Sequence, residues 1–326
     1  MQTERQSQLH HAGPARWLLA LLLVAAVALP WALKAFELEF YTGVATRLMI
    51  FAIAASSLNL ILGFGGLVSF GHAAYLGLGA YTVGILADAG VQSAWIAWPI
   101  AMLVTGLAAA AIGAVSLSTR GVYFIMITLA FAQMFYYLVV SLKAYGGDDG
   151  LPLPQRSTLL PGLIDLQVDE QFYLLVLAIT VAVLWGLQRL VNSPLGWLLQ
   201  GAKENEQRML AVGAPVFVVR WQAFVVAGAL AGLAGALLVN LNGMASPHLL
   251  HWSQSGQLMI MVILGGAGTL WGGALGAAAL LLLEEVLAGY TLHWQLGLGV
   301  LLLLVVLFAP RGLAALSFSR GGRGHG

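Results

Sequence analysis

The sequence of 326 residues contains no cysteine, and charged residues make up only 8% of it. Without cysteine the chain can form neither a disulfide nor a thiolate metal site, and cysteine content does not indicate whether its compartment is oxidising or reducing. Soluble domains typically carry about 25% charged residues, so this chain has too little polar surface for a soluble fold. The net charge of +1 gives no indication of nucleic-acid binding.

Signatures of catalysis are also missing. The lysines are Lys34, Lys143 and Lys203. None of them follows a glycine, so there is no G-x-x-x-x-G-K-[ST] phosphate loop, and we expect any ATP to be hydrolysed by a partner. The pattern G-x-S-x-G is absent, since Leu67 stands where Ser69 would require glycine. His248 and His251 lack an accompanying Cys or Glu motif, so we interpret them as polar loop residues. We therefore predict no enzyme, no catalytic residue, no metal and no cofactor.

The sequence does contain a series of long apolar runs. Hydrophobic residues make up 60% of the chain, and the 40 glycines suit membrane helices that pack closely through small residues. About 18 apolar residues suggest a membrane span. The runs extend over Arg16–Leu33, Val44–Leu62, Gly71–Ala87, Trp95–Val115, Gly121–Leu142, Gln171–Val191, Trp221–Leu241, Gln257–Leu287 and Leu292–Phe308. We predict an all-α, polytopic membrane protein.

Basic residues predict its orientation, because Lys and Arg in short loops are retained on the cytoplasmic side. The segment Gln188–Arg220 holds four basic residues, so the loop 192–220 is placed in the cytoplasm, whereas the acidic loop 143–170 is placed outside. Both termini are basic, so both are predicted to be cytoplasmic, which requires an even number of crossings. The run Gln257–Leu287 is too long for one span. We divide it near Gly265–Gly273 and predict about ten transmembrane segments.

These assignments define the domain organisation. Residues 1–15 form a cytoplasmic N-terminal tail, residues 16–310 a single transmembrane domain, and residues 311–326 a cytoplasmic C-terminal tail. A cleaved signal peptide is the alternative for the first run, because Arg16 precedes a short apolar core. Its cleavage would remove one crossing.

The cytoplasmic segment carries helix signals of its own. Pro194 suits a helix start and Gly213 a helix stop, so we predict short helices between two spans. Apolar positions there stand beside charged Lys203 and Glu204. This composition fits a docking surface for a partner, and a solvated interhelical loop is the alternative.

Several motifs resemble one family. The order SPLG (Ser193–Gly196), KENE (Lys203–Glu206) and AVG (Ala211–Gly213) resembles the cytoplasmic coupling loop of branched-chain amino-acid ABC permeases of the LivM type. Further similar motifs are LNLILGFGGLVSFGH (Leu58–His72), AYLGLGAY (Ala74–Tyr81), TRGVYFIMITLAFAQ (Thr119–Gln133), GGDDGL (Gly146–Leu151) and MVILGGAGTLWGGALG (Met261–Gly276). Departures are Trp197, Gln200 and Lys203 in place of an arginine-rich face, and Asp148 where Thr or Ser is common.

The resemblance implies a permease subunit of an ABC importer, multi-pass in the bacterial inner membrane. With a related permease of the LivH type it would form the pathway for branched-chain or similar small amino acids. Two ATPase subunits would drive transport, and a periplasmic binding protein would supply the substrate. Urea, short amides and aromatic acids stay open as substrates. An ion-coupled secondary transporter is a further alternative, although we find no ionisable residue well placed to carry protons.

Two sets of residues are candidates for function: a coupling loop, which the resemblance implies, and a pathway lining, which the positions of polar and glycine residues indicate. The ATPase-coupling loop would contain Ser193, Pro194, Gly196, Lys203, Glu204, Asn205, Glu206 and Gly213. The pathway would be lined by Asn59, Gly63, Gly65, Gly66, His72, Gln133, Gly265 and Gly266, because polar residues at depth are often functional and glycine-interrupted spans mark transport sites. Close packing through glycine and helix-to-helix hydrogen bonds is the alternative. Glu284 and Glu285 are interpreted as interfacial residues.

Overall fold

The structure is a computed structural model that describes residues 13–159 and 165–290, and in addition residues 296, 297, 299, 300, 303, 312 and 313. For residues 13–22 only the backbone is described. The described chain is helical apart from loops and one pair of two-residue strands. A bilayer favours this architecture because a helix satisfies all its backbone hydrogen bonds within one segment. The predicted helical architecture is confirmed for the described residues.

The helices of the described chain follow the predicted runs closely. They are α1 (Gly13–Ala35), α2 (Phe40–Asn59), α3 (His72–Asp88), α4 (Ala94–Ser116), α5 (Val122–Ser141), α6 (Asp169–Val191), α7 (Pro194–Glu204), α8 (Glu206–Ala211), α9 (Val216–Asn242), α10 (Trp252–Gly265) and α11 (Gly272–Tyr290). A π-helical turn, Leu60–Phe64, continues α2, and 3-10 turns cover Lys143–Tyr145 and Pro247–Leu250. Strands β1 (Leu151–Pro152) and β2 (Met244–Ala245) pair antiparallel.

Six helices of the described chain are long and apolar enough to cross a membrane. They are α2 with its π-helical turn, α4, α5, α6, α9 and α11. The protein is therefore a multi-pass membrane protein. α3 and α10, with 17 and 14 residues, are shorter than a full span of about 20 residues.

The helices traverse the bundle in alternating directions between two ends. We call them the α7–α8 end, where α6 ends and α9 begins, and the β1–β2 end, where α5 and α9 end. Three polar contacts fix the ends of other helices: Lys34 with Glu170 at the β1–β2 end, and Lys203 with Gly63 and Arg120 with Glu206 at the α7–α8 end. The two long loops, 143–168 and 192–215, thus lie at opposite ends.

The division of the run Gln257–Leu287 is confirmed, since α10 ends at Gly265 and α11 begins at Gly272. The last predicted run, Leu292–Phe308, lies largely outside the described residues, as do nearly all of the two predicted tails. Gly312, on the far side of that run, lies against Gly266 at the α7–α8 end. The count of ten crossings and the orientation stay predictions.

α2 and α9 occupy the centre of the bundle, where most of their residues are buried. α9 packs on α2, α3 and α4, and close approach of these helices depends on glycine. A Cβ at Gly235 would collide with the Leu76 carbonyl, and one at Gly232 with the Thr105 side chain. Small residues let membrane helices gain packing contacts where no hydrophobic driving force acts between them. In contrast, α5 and α6 leave much of their apolar surface exposed.

Candidate functional site

The segment between α6 and α9 folds into the two short helices that the sequence predicts. Pro194 stands at the first position of α7, where its missing N–H costs nothing. The Asn205 side chain caps α8 by accepting a hydrogen bond of 2.9 Å from the Arg208 N–H. Gly213 follows α8 with φ of +81°, a conformation that glycine adopts without strain.

The same segment packs closely where it leaves the membrane-spanning helices. Ser193 directly precedes α7, and its hydroxyl donates to the Leu190 carbonyl at 2.6 Å. Gly196 lies so close to the Val191 carbonyl that a Cβ would collide with it. These contacts fix the angle at which α7 leaves α6. The predicted role of the segment in coupling stays a prediction.

Helices α7 and α8, which we call the α7–α8 unit, are anchored to the rest of the chain by Glu206. Its carboxylate accepts hydrogen bonds of 2.9 Å from both Arg120, between α4 and α5, and Arg220, in α9. Arg220 also donates to the Ala202 carbonyl of α7 at 3.1 Å. Glu204, by contrast, is exposed. Glu204 and Glu206 stand in the same predicted set but have different environments. Glu206 is hydrogen-bonded within the chain, whereas Glu204 is exposed.

Lys203 connects this unit to the glycine-rich end of α2. Its Nζ donates a 2.6 Å hydrogen bond to the Gly63 carbonyl in the π-helical turn. The aliphatic part of the side chain lies over Gly66, where a Cβ would stand 2.9 Å from Lys203 Cγ. Gly66 has φ of +69°, so both space and backbone conformation require glycine. A π-helical turn commonly marks a functional site.

Asn59 brings together two glycine clusters, Gly63–Gly66 at the end of α2 and Gly265–Gly268 between α10 and α11. Its Nδ2 donates to the Thr269 carbonyl at 2.7 Å, and its Oδ1 accepts from the Gly268 N–H at 2.9 Å. The side chain is 1% exposed. Gly63 packs against Gly268 so closely that a Cβ at Gly63 would collide with the Gly268 backbone, and a Cβ at Gly268 would stand 3.1 Å from the Gly63 carbonyl. The end of α2 and the turn between α10 and α11 thus form one junction, which also includes Lys203.

His72 begins α3 within the bundle rather than at its surface. Its Nε2 lies 2.8 Å from the hydroxyl of Ser57, which donates its only proton to the Ala54 carbonyl at 2.7 Å. Ser57 lies seven residues before Phe64, so α3 begins about 10 Å inside the end of the α2 segment. His72 Nδ1 is buried without a partner among the described residues.

The backbone between α2 and α3 is partly non-helical, and side chains of α5 and α10 provide hydrogen-bond partners for its polar groups. The Ser255 hydroxyl of α10 donates to the Phe70 carbonyl at 2.7 Å and accepts from the Ala73 N–H at 2.8 Å. Thr128 of α5 accepts from the Phe70 N–H at 3.2 Å. Irregular backbone inside a membrane protein requires such partners. Ser255 and Ser57 have no local sequence pattern that would predict these roles.

The other residues predicted to line a pathway fall into different positions. Gly65 packs against the Ile61 carbonyl, and Gly265 against the Gly272 carbonyl, so both mediate close packing. Gly266 has φ of +111° and ends α10. Gln133 is half-buried on α5 and is not part of the Asn59 junction. The proposed lining role of these residues stays a prediction, while the contacts show a packing role for Gly65 and Gly265.

A cavity of about 670 Å³ lies toward the β1–β2 end, among α2, α9, α10 and α11. It is lined by Arg47 of α2 and Glu284 of α11. Gln257 Nε2 donates to Glu284 at 3.4 Å. This glutamate, predicted to lie at the membrane–water interface, therefore also contacts another helix of the protein. Arg47 is not among the site residues predicted from the sequence, although a lone arginine inside an apolar run is itself a functional signal. Among the described residues no cluster suits a metal ion.

A family and two relatives similar to this chain are described as branched-chain amino acid transport permeases. The family described as branched-chain amino acid transport system, permease component, matches residues 40–309. The high-affinity branched-chain amino acid transport system permease protein LivM of Salmonella typhimurium is 29% identical over 90% of this chain and 73% of its own length. LivM of Escherichia coli is 28% identical over 90% of this chain and 74% of its own length. No solved structure matches. Since the family match covers most of the sequence and contains the Asn59 junction, the α7–α8 unit and the cavity, the chain belongs to the permease component family of branched-chain amino acid transport systems.

Proposed function

We propose that the chain is the permease subunit of an ABC importer in the bacterial inner membrane. It would pair with a related permease, receive branched-chain amino acids from a periplasmic binding protein, and be driven by two ATPase subunits. The α7–α8 end would face the cytoplasm and the β1–β2 end the periplasm. The resemblance of the loop motifs and the names of the relatives support this assignment.

The observation that carries the proposal is the connection from the α7–α8 unit to both glycine clusters. Lys203 reaches Gly63, and Asn59, one turn earlier in α2, holds Gly268. A force applied to α7 by a partner would therefore act on α2 and on the α10–α11 turn together. Glu206 keeps the unit attached to α4, α5 and α9, so that such a movement is transmitted rather than absorbed.

Exposed side chains would make the contact with an ATPase. Glu204, Trp197 and Leu210 are exposed at the α7–α8 end, which gives a charged and apolar surface. Aromatic and apolar residues with a charged rim are typical of protein interfaces. Glu206 would not belong to this contact because its carboxylate is engaged with two arginines of the same chain.

The proposal is tested with Lys203→Met in the assembled importer, because methionine keeps the aliphatic stem and removes the ammonium group. A hydrogen bond from a charged donor is worth about 1.5–3 kcal/mol, so we expect uptake of radiolabelled leucine to fall roughly tenfold or more. ATP hydrolysis and assembly should persist. Gln207→Met, an exposed substitution on α8, serves as the matched control.

Normal uptake by assembled Lys203→Met complexes would refute the coupling role. Uptake that survives removal of the ATPase subunits and follows an ion gradient would refute the ABC assignment itself and favour a secondary transporter.

A further inference from the structure

Two opposite charges face the cavity near the β1–β2 end without neutralising each other. The ion pairs of the described residues join Lys34 to Glu170, Arg120 and Arg220 to Glu206, and Arg156 to Asp169. Neither Arg47 nor Glu284 takes part in one. Within the described part of the chain, the Arg47 guanidinium lies 5.7 Å from the centroid of the Phe51 ring, and Glu284 has only the long contact from Gln257.

Two such charges within membrane-spanning helices point to a ligand or a partner that completes them. Ionisable side chains inside membrane-spanning helices are rare and usually mark a substrate path. Arg47 lies seven residues inside α2 and Glu284 six residues before the end of α11. In the described chain Arg47 is exposed and Glu284 is half-buried, so both side chains are accessible from the cavity.

We propose that this cavity binds the zwitterionic head group of a small apolar α-amino acid on its way through the permease. The Arg47 guanidinium would bind the α-carboxylate, for which its planar fork of donors is well suited. The Glu284 carboxylate would bind the α-ammonium group, assisted by the side-chain oxygen of Gln257. The inference rests on the proposed function, since it assigns a site to the substrate that the importer carries.

The remaining lining of the cavity fits the other half of such a ligand. Leu238, Leu249, Ile260 and Leu280 supply an apolar wall for an aliphatic side chain. A volume of about 670 Å³ lies within the range of roughly 300–1,000 Å³ that is typical of small-molecule sites. An apolar wall with a few polar groups that fix orientation is the usual composition of such a site.

The location also agrees with the route of the substrate. Asn242, the last residue of α9, and His248 line the cavity, so it lies toward the β1–β2 end. Under the proposed orientation this end faces the periplasm, where a binding protein would deliver the amino acid. The Asn59 junction, at the opposite end, would then lie downstream of the site.

The absence of cysteine from this chain permits a direct test. Ser253 lines the cavity, so Ser253→Cys introduces a single thiol there. Its rate of alkylation by a small maleimide is measured in the assembled importer, without binding protein, on the band of this subunit. Gln155→Cys, exposed near β1, reports on access at the same end but away from the cavity.

We expect L-leucine to slow alkylation of Ser253→Cys about tenfold at ten times its dissociation constant, and to leave Gln155→Cys unaffected. L-valine and L-isoleucine should protect similarly. 3-Methylbutylamine and 4-methylpentanoate, which keep one charge each, should protect far less. Arg47→Gln or Glu284→Gln should abolish protection, whereas Glu285→Gln, next in sequence but absent from the cavity wall, should retain it.

Failure of all three amino acids to protect would overturn the site. Full protection of the Arg47 or Glu284 variants would also overturn it. The same holds if these variants lower assembly and thermal stability while the assembled fraction is protected normally, because the two charges would then have a structural role alone. ATP-driven leucine uptake without protection would reject this site and leave the proposed function standing. Loss of ATP-driven uptake in the unmutated importer would reject the proposed function instead.

Discussion

Replacement of Asn59 by alanine should destabilise the protein measurably, because one side chain satisfies two backbone groups of a distant turn. The change removes the bonds to Thr269 and Gly268, which are 2.7 and 2.9 Å long. At about 1 kcal/mol for each hydrogen bond, the loss is about 2 kcal/mol. It rises toward about 4 kcal/mol if both backbone groups stay buried without partners. Membrane hydrogen bonds average about 0.6 kcal/mol, so the lower value is the firmer expectation.

The free energy of unfolding would be measured by reversible unfolding of the purified protein in mixed micelles. Asn192→Ala is the matched control, since Asn192 is exposed beyond the end of α6 and substitutions at such positions change stability by less than about 0.5 kcal/mol. A loss for Asn59→Ala no greater than that of Asn192→Ala would show that the junction does not hold the two glycine clusters together.

Two further outcomes follow from the fold. Cysteines introduced at Gln155 and Gln207 should be labelled from opposite sides of the membrane, with Gln155 outside, because both are exposed and lie at opposite ends of the bundle; labelling of both from one side in intact cells would contradict the topology. Gly265→Ala should cost about 2 kcal/mol or more, since its Cβ would collide with backbone atoms of α11. Gly186→Ala, in open space on α6, should be neutral or stabilise the protein by about 0.5 kcal/mol. Equal thermal stability of the two variants would refute the packing role assigned to Gly265.

The choice of labelling positions illustrates what the fold adds to a topology map. Ser157 stands in the same loop as Gln155 and looks equally suitable in the sequence. Its backbone N–H donates to Asn240 Oδ1 at 2.7 Å, and the residue is 4% exposed. A reagent would reach it poorly from either side. Local sequence marks a loop, but only long-range contacts decide which of its residues are accessible.

A similar distinction applies to the glycine substitutions that would separate a pathway role from a packing role. Gly66 and Gly266 both have positive φ, so any larger residue there is strained whatever the space around it. Loss of transport in such variants would not distinguish the two roles. Gly63, at negative φ and in direct contact with Gly268, separates packing from backbone strain more cleanly.

The sequence by itself determined the helical membrane architecture, the division of the long run near Gly265–Gly273 and the two short helices between α6 and α9. These features depend on properties that each segment carries locally: apolar length, proline and glycine at helix ends, and the requirement that a backbone in lipid satisfy its own hydrogen bonds. The motifs then indicated the family, and the family match confirmed it.

The tertiary structure alone decided which distant residues meet. Asn59 and Gly268 are separated by 209 positions, and Lys203 and Gly63 by 140. Arg47 and Glu284 line one cavity, although one stands near the start of the sequence and the other near its end. No periodicity or composition encodes such pairings, because in a membrane protein the neighbours of a helix are chosen by the fit of small residues and a few polar groups across helices. A single sequence displays those residues but not their partners.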